Sequence, residues 1–86
     1  MDKKLDEELW LVAFGNTIAE RRQYVAMTQQ QLADLSGVHR TYISDVERGY
    51  RNVTLLTLNR IASALETTAA KILVHADKKL SVTHTV

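Results

Sequence analysis

With 86 residues, 45% of them hydrophobic, the chain has room for one domain around one modest core. The absence of cysteine excludes disulfides and thiolate metal sites and fits a reducing cytoplasm, and no apolar run approaches the ~18 residues that cross a bilayer. The formal charge of +1 hides an uneven layout: Lys3 and Lys4 against Asp2, Asp6, Glu7 and Glu8 leave residues 1–8 at −2 and the rest at +3, and every arginine falls between Arg21 and Arg60.

Residues 1–8 read as a polar N-terminal extension that lacks the pattern of a secretory leader. Leu11, Phe14 and Ile18 then recur at three- and four-residue steps, which predicts an amphipathic helix over about 9–25, with Trp10 and Val25 extending the same face. Thr28 is an N-cap with Gln31 at the third helical position, and Met27 and Leu32 stand at hydrophobic-staple spacing. That second helix runs through Ala33 and Leu35 to Gly37, a residue suited to a left-handed turn. A third helix over about 40–48 turns Ile43 and Val46 inward and ends at Gly49. Thr54 caps a fourth, whose apolar stripe is Leu55, Leu58, Ile61, Ala62 and Leu65. Thr68 caps a short fifth helix with Ile72 and Leu73 facing the core. The domain is thus expected over 9–74, and residues 75–86 read as a C-terminal tail, frayed or paired with another chain, fraying being the simpler state.

Two short helices joined by a glycine-containing turn form the helix-turn-helix pattern. Ala33 is small where the two helices cross, Gly37 takes the turn, and Ile43 and Val46 pin the second helix to the first; Gln29 completes the spacing. Five matches inside an all-helical frame are far more specific than an isolated Ala-x-x-x-Gly.

On these residues the stretch from Phe14 to Leu73 resembles the phage-repressor/Cro (XRE-type) helix-turn-helix family. The resemblance implies an all-α, five-helix, lambda-repressor-like DNA-binding domain. Thr28-Gln29-x-x-Leu32-Ala33-x-x-Ser36-Gly37-Val38 matches the family's second helix and turn, and Ile43-Ser44-x-Val46-Glu47-Arg48-Gly49 the end of its recognition helix. Arg40-Thr41-Tyr42-Ile43-Ser44, followed by Glu47-Arg48-Gly49-Tyr50-Arg51-Asn52, is most similar to the controller proteins of restriction–modification systems. The chain departs from the family at Ala26 and Glu66, where glycine is frequent, and at His39, where Ser or Asp caps the recognition helix.

The resemblance assigns roles. Arg40, Thr41 and Ser44, with Asp45 as a fourth candidate, would face base edges in the major groove. Gln29, Tyr42, Arg51 and Asn52 would contact phosphates, and His39 would either do so or simply cap the helix. For Asp45 the competing reading, and the favoured one, is a solvated carboxylate or an intramolecular partner for a nearby arginine. Arg22 and Glu47 match a semi-buried ion pair of the family. Leu56, Ala69 and Ala70 are candidates for a homodimer face on the fourth and fifth helices.

No nucleophile–base pair, carboxylate pair or glycine-rich phosphate cradle is present, and His75 and His84 have no metal-ligand spacing. The expected protein is therefore not an enzyme. It is a cytoplasmic, homodimeric regulator that binds double-stranded DNA, without cofactor, metal, membrane or small-molecule partner. The alternative is an antitoxin that holds a toxin through the 75–86 tail and regulates its own promoter.

Overall fold

The structure, a computed structural model, describes residues 3–84, with side chains from Asp6 to Ser81. Five helices follow in chain order: α1 (Lys3–Tyr24), α2 (Gln29–Ser36), α3 (Arg40–Glu47), α4 (Leu55–Ala64) and α5 (Ala69–His84), and no strand occurs among the described residues. Residues 1, 2, 85 and 86 of the extension and tail, and the His84 side chain, lie outside the described residues.

Two helices are longer than the sequence suggests. The first starts at Lys3, so most of the expected extension forms its opening turns, and the expected tail continues α5 as far as His84. The reason is mutual support. Asp6, Leu9 and Trp10 line one groove with Asp77, Leu80 and Ser81, while Thr17, Glu20 and Tyr24 line another with Ile72 and His75. The two helices therefore run antiparallel, and each gives the other a face to bury. Ala76 is fully buried there and Leu80 half-buried, and Lys79 Nζ reaches Glu20 Oε1 at 2.7 Å.

The other boundaries are set by caps. Thr28 Oγ1 accepts from the Gln31 amide at 3.0 Å while Gln31 Oε1 accepts from the Thr28 amide at 2.8 Å, a complete capping box. Thr54 Oγ1 accepts from Thr57 N at 3.2 Å, and Thr68 Oγ1 from Lys71 N at 3.1 Å. At their C-terminal ends α1 to α4 share one device, a residue in the left-handed region: Ala26 (φ 57), Gly37 (φ 76), Gly49 (φ 81) and Glu66 (φ 59). The amide that follows each one reaches back five residues, as Met27 N does to Arg22 O at 3.0 Å and Thr67 N to Ala62 O at 3.0 Å. The Arg21 guanidinium further covers the carbonyls of Leu65 and Glu66, each at 2.9 Å, placing positive charge at the C-terminal end of α4.

Ala26 and Glu66 carry a Cβ in a conformation that disfavours one by roughly 1–2 kcal/mol, against the 0.5–1 kcal/mol or so of extra chain entropy that glycine brings. Ala26→Gly and Glu66→Gly are each expected to stabilise the fold by about 0.5–1 kcal/mol in urea unfolding. Loss of stability in both variants would show that these turns are not strained.

The core is formed by Phe14 and Ile18 of α1, Leu32 and Ala33 of α2, Ile43 and Val46 of α3, Leu58, Ile61 and Ala62 of α4 with Leu65 just after it, and Ile72 and Ala76 of α5. Two leucines expected inward, Leu55 and Leu73, are not there, and Leu35 is exposed as well. Leu35 is 66% exposed, Leu55 73% and Leu73 39%. Each lies off its helix's buried stripe, which is Leu32–Ala33–Ser36 in α2, Leu58–Ile61–Ala62 in α4 and Ile72–Ala76 in α5. Trp10 is likewise 40% exposed at the rim of the α1–α5 groove and not on the core face.

Candidate nucleic-acid interface

Placement of α3 begins with contacts made by the elements behind it. Gly15 of α1 lies directly against the backbone at the end of α3. A Cβ there would collide with the Val46 carbonyl oxygen and come within 2.8 Å of that of Glu47. The helices thus meet backbone to backbone, with Ile43 and Val46 fully buried beneath. Gly49, beside Val12, then leads the chain away from α3.

Glu47 locks three helices together. Arg22 of α1 grips it with both arms of its guanidinium, Nε to Oε2 at 2.7 Å and Nη2 to Oε1 at 3.0 Å, and Gln29 of α2 donates Nε2 to Oε1 at 3.0 Å. The remaining arm of Arg22 donates to the Met27 carbonyl at 2.9 Å. Both charged side chains are largely buried, 14% exposed for Arg22 and 7% for Glu47. The bond from Glu47 holds the Arg22 pKa above its ordinary value, and burial opposes that rise.

The outer face of α3 is thereby presented to solvent. Arg40 and Thr41 are exposed and Ser44 and Asp45 half-buried, an i, i+1, i+4, i+5 set opposite the buried Ile43 and Val46. Arg40, in the first turn, has no hydrogen-bond, ion-pair or ring partner among the described residues. His39 precedes it as an extended N-cap (φ −69, ψ 146) whose side chain makes no capping bond. Its imidazole is exposed.

Beyond α3 the chain assembles a linked group of rings and charges. Asp45 Oδ1 accepts from Arg48 Nη2 at 2.8 Å, and Oδ2 from Arg51 Nε at 3.3 Å. The Arg51 guanidinium lies 5.3 Å from the centre of the Tyr42 ring, and that of Arg48 lies 4.9 Å from the Tyr50 ring. Tyr42 is half-buried against the core, while Arg51 and Asn52 are exposed.

The candidate residues therefore do not all stand alike. Arg40, Thr41, Ser44, Tyr42, Arg51 and Asn52 share one end of the molecule, in and just beyond α3. Gln29 is close by, but its side-chain amide is engaged by Glu47. Asp45 has both oxygens on arginines, the intramolecular reading of that residue. Ala33 and Gly37 form the tight corner, Ala33 buried and its carbonyl accepting from the amides of Gly37 and Val38 at 2.9 and 3.2 Å. Leu56 is 73% exposed on α4, Ala70 is exposed and Ala69 half-buried. Sequence reasoning missed Arg48 as a member of the charged group, although its i, i+3 spacing from Asp45 was a usable signal. It also missed Gly15, for which no local signal exists. Among the described residues no three metal-ligating side chains cluster, and no helix is long and apolar enough to cross a membrane.

Comparison with known proteins adds four findings. Residues 18–72 match the family model described as helix-turn-helix. The control protein C.SmaI of Serratia marcescens is 57% identical over 47 residues, which is 55% of this chain and 56% of that protein, so the match spans little more than half of the relative's length. Among solved structures, the restriction-modification controller protein C.AhdI from Aeromonas hydrophila aligns with a TM-score of 0.71 at 40% identity, covering 72% of this chain and 94% of that one. The controller protein C.Esp1396I, solved as a tetramer in complex with its natural 35 base-pair operator, aligns with a TM-score of 0.74 at 34% identity over 81% of this chain and 92% of that one.

Proposed function

Because the chain belongs to the helix-turn-helix family of the phage-repressor/Cro type, we propose that it is a sequence-specific, double-stranded DNA-binding transcriptional regulator, the controller of a restriction–modification system, which acts as a homodimer on a palindromic operator. It is not an enzyme: the relatives it matches are control proteins and regulators. The observation that carries the reading is the outer face of α3, held from behind while the exposed Arg40 side chain at its first turn has no partner among the described residues.

The face works in the major groove. A guanidinium matches the paired acceptors O6 and N7 of guanine, so Arg40 reads a base. Thr41 sets its methyl against thymine or donates a hydrogen bond, and Ser44 adds a second polar contact one turn along. Gln29, with the first amides of α2, meets a phosphate, as do Tyr42, Arg51, Asn52 and His39. These contacts fix register and orientation. One α3 reads only a few base pairs, so two copies about 34 Å apart are needed for useful selectivity. The exposed Leu55 and Leu56 with Ala69 and Ala70 supply an apolar face for that pairing. The reading puts the protein in the cytoplasm, where it would meet DNA, and calls on no cofactor or small-molecule ligand.

The antitoxin reading is disfavoured because its partner segment is in use: residues 75–84 continue α5, and Ala76 and Leu80 bury themselves within the fold.

Selection of bound duplexes from a random pool tests the proposal. A two-fold symmetric site is expected, and Arg40→Ala should weaken binding by about 1–3 kcal/mol and relax base preference at one position in each half-site. Recovery of no consensus, or an Arg40→Ala variant as selective as the parent, would refute it.

A further inference from the structure

We propose that Asp45 is a selectivity residue: its carboxylate holds Arg48 and Arg51 in place of DNA phosphate and yields them only to a duplex on which α3 is correctly seated. The inference rests on the DNA-binding reading above and adds to it a control on how much charge the interface shows before docking.

Three arginines surround the outer face of α3, and they are in different states. The Arg40 side chain has no partner among the described residues, whereas Arg48 and Arg51 converge on the two oxygens of one carboxylate. Asp45 is itself well sheltered, its side chain only 18% exposed, while its two partners are 58% and 51% exposed. A carboxylate and a phosphate present the same kind of paired oxygen acceptors to a guanidinium. Asp45 therefore occupies the donors that a backbone phosphate would otherwise take. The Tyr50 and Tyr42 rings add a second contact to the Arg48 and Arg51 guanidinium groups, respectively. Release remains easy, because ion pairs this exposed to solvent are weak and a polyanionic strand can compete for them.

The consequence is differential. Non-specific DNA binding is almost wholly a matter of phosphate neutralisation. With a net charge of only +1, and with Arg48 and Arg51 held in internal ion pairs as Arg22 is, the protein presents little positive charge to an arbitrary duplex. On the right sequence, Arg40 and Thr41 seat α3 deeply enough to bring phosphates against Arg51 and Arg48, and the carboxylate is displaced. In the fitted complex the displaced carboxylate takes a base-edge donor such as cytosine N4, which offsets the loss of its arginines, whereas a loose encounter offers it nothing; Asp45 thus penalises loose encounters more than the fitted complex.

The test is to measure binding of the full chain and of Asp45→Asn to two duplexes by fluorescence anisotropy across a salt series. One is the tightest duplex recovered by selection with the parent protein, the other a scrambled duplex of equal length. For Asp45→Asn, affinity for the scrambled duplex should rise about tenfold near 0.1 M salt, with a log–log salt slope steeper by roughly one phosphate. Affinity for the selected duplex should rise less, so the ratio of the two falls. Asp77→Asn, the same change of charge on α5, should alter neither slope nor ratio. In an Arg51→Gln background, Asp45→Asn should lose most of its effect.

Equal effects of Asp77→Asn and Asp45→Asn would reduce the phenomenon to net charge and overturn the proposal. So would an unchanged or weakened affinity of Asp45→Asn for the scrambled duplex in a variant that keeps the parent's circular dichroism. If the parent binds neither duplex at low salt, it is the DNA-binding reading that fails, and the role of Asp45 fails with it.

Discussion

Gly15→Ala is expected to lower stability by about 3 kcal/mol or more, although it adds a single methyl group to a helix that alanine favours. The added carbon would meet the carbonyl oxygens of Val46 and Glu47, backbone atoms that cannot rotate aside as a side chain does. Relief requires α1 and α3 to move apart, which unseats Ile43 and Val46 and separates Arg22 from Glu47. Propensity alone predicts the opposite sign, a gain of up to about 1 kcal/mol, so urea unfolding decides between the two. Asn16→Ala, at the neighbouring exposed position, is the control and should stay within about 0.5 kcal/mol of the parent. A Gly15→Ala protein as stable as the parent would mean that α1 and α3 do not meet as closely as described.

Glu47→Ala should cost about 2–4 kcal/mol, since it leaves a largely buried guanidinium without its counter-charge and strips Gln29 of its acceptor. The residual exposure of Arg22 keeps the expected figure below that of a fully enclosed pair. Removing both partners should be milder than removing one. Arg22→Met combined with Glu47→Leu should recover most of the lost stability, because no unpaired charge then remains inside. If the double variant were no better than Glu47→Ala, bond geometry and not charge burial would be what the network supplies. The raised pKa of Arg22 fixes the pH dependence of its own share. That share is present at every pH below the unfolded-state value and is lost as pH climbs through the folded one, in strong alkali. Around neutrality, stability should therefore carry no slope from this guanidinium.

Much of this architecture is legible in the sequence because it is written in short-range chemistry. A capping box needs only Thr28 and Gln31, a left-handed turn needs Gly37, and a buried stripe needs Leu58, Ile61, Ala62 and Leu65 at helical spacing. What escaped depends on contacts between distant segments. Gly15 looks like an unfavourable residue in the middle of a helix until the α3 backbone is placed against it. Arg21 carries no sign that it will cap α4 from 44 residues away. The lengths of α1 and α5 follow from their pairing, which neither polar end announces. Leu55 and Leu73 fall outside the core because residue type does not give the phase of a helix relative to its neighbours. In the interface, Arg40 was identifiable from its place at the start of α3. Which arginines are free and which are held by Asp45 depends on the turn after Gly49, and that only the folded chain reveals.

The claim on which everything functional depends is that duplex DNA meets this protein at the outer face of α3. Backbone amide chemical-shift mapping of the 15N-labelled protein, titrated with a selected duplex in low salt, addresses it directly. The largest perturbations should fall on residues 29–31, 39–45 and 50–52, with the middle of α5 unmoved. Perturbations centred on α1 and α5 instead, or a spectrum unchanged at saturating duplex, would contradict it.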